Sequence, residues 1–104
     1  MAEGTRKVLV TGSIQAKPER IDELLALSLE HVRRSRGEPG CLLHGVHRDV
    51  EDPLRLVFVE EWVDRTALLA HFAVPASRAF VKAAAACATA APAISLYEVD
   101  ALKV

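Results

Sequence analysis

Apolar residues recur along the chain in two rhythms, one of period two and one of helical spacing. From Val8 to Ala16 they alternate loosely with small and polar residues, which predicts a first strand. Lys17-Pro18 ends it, and Pro18 suits a helix's first turn, where its missing N–H costs nothing. Ile21, Leu24, Leu25, Ser28, Leu29 and Val32 then share one helical face. Glu19, Asp22 and Glu23 stand at the positive dipole end, and Arg33, Arg34 and Arg36 at the negative end. The spacing predicts a helix over Pro18–Arg36, with Gly37 as its cap. Pro39-Gly40 reads as a turn. Cys41–Arg48 and Arg55–Trp62 read as strands two and three, joined by the polar connection Asp49-Val50-Glu51-Asp52-Pro53. Asp64 is placed to cap a short helix carrying Leu68, Leu69 and Phe72 on one side. Val74-Pro75 interrupts it. Ser77 can cap a second piece, with Phe80, Val81, Ala84, Cys87 and Ala88 inward. Ala83–Ala93 holds eight alanines in eleven residues and reads as helical until Pro92. Ile94–Val104 reads as strand four.

The order β-α-β-β-α-β predicts an α+β domain spanning residues 1–104. Its simplest arrangement is ferredoxin-like, a four-stranded antiparallel sheet with the helices on one face. That plan leaves the second face bare. Strand one offers Leu9 against Val8, Val10 and Ile14, and strand three offers Val57 and Val59 against Leu56 and Phe58. A half-solvated sheet has one polar side. These strands are apolar on both, which predicts a homodimer through the sheet face.

Composition narrows the classes. The 104 residues are 51% hydrophobic and 26% charged, with a net charge of −1, so the clustered basic excess of a nucleic-acid binder is missing. No apolar run approaches the ~20 residues of a membrane helix. Glu3, Arg6 and Lys7 break up any signal-peptide core. Cys41 and Cys87 are too few for a disulfide framework and fit buried thiols in a cytoplasmic protein.

Candidate chemistry gathers near strand three. Leu56, Phe58, Glu60 and Trp62 share a face by period two. Trp62 is either a stacking wall for a flat aromatic ligand or a core residue between sheet and helix. Glu60 on that apolar face is either a proton acceptor or half of an ion pair. Glu61 points to the opposite face. His71 is a general base, a haem ligand, or a histidine bonded to a backbone carbonyl. His44 and His47 fall on opposite faces of strand two, and the hairpin register decides which joins Trp62. Arg78 and Lys82 either hold an acidic substituent or form a solvated helix face. No zinc-type Cys/His spacing and no phosphate loop appear, so neither a metal nor an organic cofactor is expected.

Several short motifs resemble the antibiotic biosynthesis monooxygenase family. They are Lys17-Pro18, Glu38-Pro39-Gly40-Cys41, Asp52-Pro53, Glu60-Glu61-Trp62, His71, Pro75 with Phe80, and Tyr97. The likeness runs from about Val8 to Val99. It implies a dimeric α/β barrel and a cofactor-independent monooxygenase acting on an electron-rich phenol, quinol or polyketide-like aromatic. His71 and Glu60 are then the candidate catalytic residues, and Trp62, Phe58, Phe72 and His44 the candidate substrate contacts. The expected cavity lies between sheet and helices, walled by Trp62 with His71 at its edge. Phe58 stands where the resemblance implies a polar amide in some oxygenases of the family. That favours the alternative of a small dimeric binding protein without catalysis. A haem-binding or haem-degrading relative is the third reading.

Overall fold

The computed structural model describes residues 6–104. Strands β1 (Lys7–Gln15), β2 (Cys41–Arg48), β3 (Arg55–Trp62) and β4 (Ala93–Val99) form one sheet in the order β2-β3-β1-β4. All three pairings are antiparallel. Helix α1 (Ile21–Ser35) follows a short 3-10 turn over Pro18–Arg20, and α2 (Arg65–Ala73) and α3 (Pro75–Cys87) follow β3. This is the ferredoxin-like plan, with the second helix broken in two.

Period two fixes the buried face. Val8, Val10 and Ile14 of β1 lie on the same side as Leu56, Phe58, Glu60 and Trp62 of β3, and all are buried. One apolar cluster joins Ile14, Leu56 and Phe58 to Leu24, Val32 and Ala84. A second joins Val8, Val10 and Trp62 to Leu68. Helices α1 and α3 supply the first cluster's lid, and α2 the second's.

Several boundaries depart from the sequence pattern for physical reasons. In α1 the buried stripe is Leu24, Ser28, His31, Val32 and Ser35, while Leu29 turns outward. Gly37 does not take the left-handed cap; Gly40 is the only residue with positive φ among those described (+80°). A methyl there would lie 2.6 Å from Ala67 Cβ and 2.7 Å from Val63 Cγ1, so the turn packs directly on the start of α2. Asp64 caps α2 as expected, its Oδ1 accepting the Ala67 N–H at 2.8 Å.

Leu68 and His71 take the inward side of α2, which turns Leu69 and Phe72 outward. Ser77 does not cap α3. Val74 stands at the cap with Pro75 beginning the helix, and Ser77 is buried within it. Val81 points to solvent. The alanine-rich stretch leaves the helix after Cys87. There Ala88 pairs in a bridge with Ala16, and Thr89 N–H donates to Gln15 O, so tertiary pairing overrides alanine's helix preference. β4 stops at Val99, where its β1 partner is Lys7, the strand's first residue. No helix is long and apolar enough to cross a membrane among the described residues.

Candidate functional site

Four elements converge on one end of the covered sheet face. β3 projects Glu60 and Trp62 there, and β2 lays His44 beside Glu60 in register. His47 pairs with Val57 on the open face, so His44 is the histidine that joins Trp62. α2 directs His71 down from above. α1 adds His31, four residues before the buried Ser35, whose hydroxyl donates to His31 O.

Every member of this group is withdrawn from water. Trp62 is 0% exposed, His44 1%, His71 3%, His31 6% and Glu60 7%. An ionisable cluster so desolvated is costly unless its groups satisfy one another.

Glu60 is the hub. Its Oε1 accepts the Trp62 indole N–H at 2.9 Å. His44 Nε2 lies 3.3 Å from the same oxygen without reaching hydrogen-bond geometry, and His71 Nε2 lies 3.9 Å away. Burial is the strongest influence on this carboxyl and pushes its pKa up. The combined pull of His44, Trp62 and His71 outweighs burial and holds it below the usual carboxylate value.

Two hydrogen bonds set the proton positions on the neighbouring rings. His71 Nδ1 is 2.8 Å from Glu38 Oε1. A carboxylate only accepts, so the proton of that bond sits on Nδ1, and the lone pair of the neutral ring sits on Nε2. His31 Nδ1 is 2.7 Å from Arg34, whose guanidinium only donates. The lone pair of His31 is therefore engaged at Nδ1, and its N–H is at Nε2. Burial, helped by His44, His71 and Arg34, drives the His31 pKa down to about 3. His31 also stacks on Phe80, with ring centroids 4.1 Å apart and planes 6° from parallel.

A cleft of about 470 Å³ opens beside this cluster, between the sheet and α3. His31, Glu60 and His71 give it a polar inner end, while Phe58, Phe72, Phe80 and Ile94 supply apolar walls. Arg78 also lines it, whereas Lys82 does not. Apolar walls with a few convergent polar groups are the usual make-up of a small-molecule site.

The expected site residues divide accordingly. Glu60, His71, Phe58 and Phe72 border the cleft. Trp62 and His44 do not. The expected stacking wall is corrected: Trp62 is sealed beneath α2, its ring 4.6 Å from that of His71, and works as packing and as the donor to Glu60. His44 is likewise behind the cleft rather than in it. Two residues went unread in the sequence. His31 shares the helical phase of Leu24, Ser28 and Ser35, which was visible in the spacing. Glu38 sits in the Glu38-Pro39-Gly40-Cys41 motif, yet its partner lies 33 residues away on α2.

Known proteins share this frame. Residues 7–83 match the model of the antibiotic biosynthesis monooxygenase family. A crystal structure named as an antibiotic biosynthesis monooxygenase is 35% identical, with a TM-score of 0.83, covering 92% of this chain and 99% of that one. A conserved protein from Methanosarcina mazei Go1 is 25% identical with a TM-score of 0.87, covering 92% of this chain and 95% of its own. A Deinococcus radiodurans protein bearing the same family name is 26% identical at a TM-score of 0.87, over 93% of this chain and 97% of that one. An uncharacterised protein of Synechocystis sp. is 36% identical over 75 residues, which is 72% of this chain. The matched region spans 51% of that relative's length. With the family model matched from the start of β1 well into α3, the chain belongs to the antibiotic biosynthesis monooxygenase family.

Proposed function

We propose that this chain is a cofactor-independent monooxygenase that oxidises an electron-rich phenol, quinol or polyketide-like aromatic to a quinone. The observation that carries the reading is the His71 Nε2 lone pair at the inner end of an apolar cleft, with Nδ1–H anchored on Glu38. A base held in one tautomer by a carboxylate is the arrangement needed to take a phenolic proton. The resulting anion donates an electron to dioxygen. The radical pair recombines to a hydroperoxide at the ring carbon, which loses water to leave the quinone. One phenol and one dioxygen give one quinone and one water. Glu60, kept anionic, favours the imidazolium that forms on His71. The walls of Phe58, Phe72 and Phe80 exclude water from the anion, and His31 Nε2–H offers a donor to developing negative charge. Arg78 provides a cation for an acidic substituent.

The reading includes a homodimer across the open sheet face. Leu9, Leu43, Val57, Val59 and Tyr97 lie on that face, and Leu43 and Tyr97 are about half exposed. Phe58 favours the second reading, a binding protein without catalysis, because it lines the cleft with a ring that can neither donate nor accept a strong hydrogen bond. Oxygen uptake separates the two. The monooxygenase reading expects uptake with some member of a hydroquinone and anthrone panel, reduced at least tenfold in H71N and E38Q. Tight binding of the same compounds with no uptake would establish the binding protein.

A further inference from the structure

We propose that His44, His71 and Glu60 form a binding site for one divalent first-row transition-metal ion, beyond any role in aromatic oxidation. The starting observation is His44. Its Nε2 is buried and faces Glu60 Oε1 at 3.3 Å without hydrogen-bond geometry, in a side chain that is 0% exposed. A buried polar atom left without a hydrogen bond costs free energy, and an ion shared by Nε2 and the Glu60 carboxylate would recover it.

The spacing around it fits an ion. Two ligand atoms each about 2.1 Å from one metal at a tetrahedral angle lie about 3.4 Å apart. His44 Nε2 is 3.3 Å from Glu60 Oε1, and His71 Nε2 is 3.9 Å from the same oxygen. The ring nitrogens of His31, His44 and His71 fall within 4.8 Å of one another. A shared ion would need the 3.9 Å separation of His71 from Glu60 drawn in by side-chain movement.

The surrounding bonds have the right polarity. A metal-bound imidazole commonly donates its other N–H to a carboxylate, and ligating carboxylates are themselves hydrogen-bonded. His71 Nδ1–H already donates to Glu38, which leaves Nε2 bare. Glu60 Oε1 already accepts the Trp62 N–H and keeps a second lone pair. His31 is the exception that defines the set. Arg34 occupies its Nδ1 lone pair, so its Nε2 presents a proton to the cluster and cannot ligate without losing that contact. His31 is a donor to a metal-bound water rather than a ligand. Two imidazoles and one carboxylate with open positions suit Zn²⁺, Co²⁺, Ni²⁺ or Fe²⁺ and disfavour Mg²⁺ and Ca²⁺. The cleft, which His71 and Glu60 both line, is the route in.

Occupation would consume the His71 lone pair that the oxidation needs, so ion and proton abstraction exclude each other at this site. Ion binding itself is read without substrate, and it stands or falls apart from that activity.

The test is chelator-stripped full-length protein titrated with Co²⁺ and then Zn²⁺. The expected result is one ion per chain by elemental analysis, a visible d–d band for bound Co²⁺, and loss of that band as Zn²⁺ displaces it. H44Q and E60Q should bind more than tenfold more weakly, and E38Q about 10–100-fold more weakly, the usual effect of removing a carboxylate behind a ligand. H47Q, on the open sheet face, should bind like the unaltered protein. Should a buried-site variant fail to fold, imidazole nitrogen NMR of the unaltered protein decides: Zn²⁺ should move the His44 and His71 signals and leave His47 in place. Absence of stoichiometric uptake, unchanged affinity in folded H44Q, or Zn²⁺ shifts confined to other histidines would overturn the site.

Discussion

Replacing Trp62 with Phe separates a packing and hydrogen-bonding role from a ligand-binding one. Trp62 is fully buried, and its indole N–H donates to Glu60 Oε1 at 2.9 Å. Phe keeps the aromatic contact with His71 and removes that N–H. A hydrogen bond to a charged group contributes about 1.5–3 kcal/mol. The ring atoms that Phe cannot replace add about 1 kcal/mol of lost packing. The expected loss is therefore about 3 kcal/mol. A domain of this size has about 5–15 kcal/mol in total, so the variant still folds. Its melting temperature should fall by roughly 12–24 °C, at about 4–8 °C per kcal/mol. Urea unfolding followed by far-UV circular dichroism measures the loss, since the substitution removes the protein's single tryptophan. Aromatic ligands should bind folded W62F with unchanged affinity, because Trp62 does not line the cleft. A stability loss below about 1 kcal/mol, or a tenfold drop in ligand affinity, would refute this account of Trp62.

Gly40→Ala should cost about 2–4 kcal/mol, combining left-handed strain with overlap on Ala67 and Val63, measured by the same unfolding assay. Val59→Asp on the open face should convert a dimer to a folded monomer in sedimentation; a monomeric unaltered protein at micromolar concentration would rule out that interface. Acid should weaken the fold. His31 has a folded pKa of about 3 against about 6.5 when unfolded, so the unfolded chain takes up the proton first, and stability falls as pH drops through that window. By pH 5 the loss from this residue is about 1–2 kcal/mol, seen as a lower urea midpoint that H31Q largely restores. Glu60, with its lowered pKa, pushes the same way below the ordinary carboxylate range.

Much of the frame was legible in the sequence because strands and amphipathic helices carry their own periods. The face shared by Phe58, Glu60 and Trp62 follows from alternation alone. The depth of Trp62 does not, since it depends on which side of α2 turns inward, and α2 is too short and too evenly apolar for its pattern to say. Leu68 and His71 won that face over Leu69 and Phe72. The end of α3 was equally hidden, because Ala88 answers to Ala16 across the fold rather than to its neighbours. The histidine cluster draws on α1, β2 and α2, so no short spacing could announce it.

The tautomer of His71 tests the central claim most directly. Imidazole nitrogen NMR of the neutral rings should show His71 protonated at Nδ1 and bare at Nε2, with His31 the reverse. Adding a saturating hydroquinone under nitrogen should shift the His71 Nε2 signal toward the protonated form, while His47 stays unmoved. A proton found on Nε2 of free His71, or a His71 signal indifferent to every phenolic ligand that binds, would contradict a base at the inner end of this cleft.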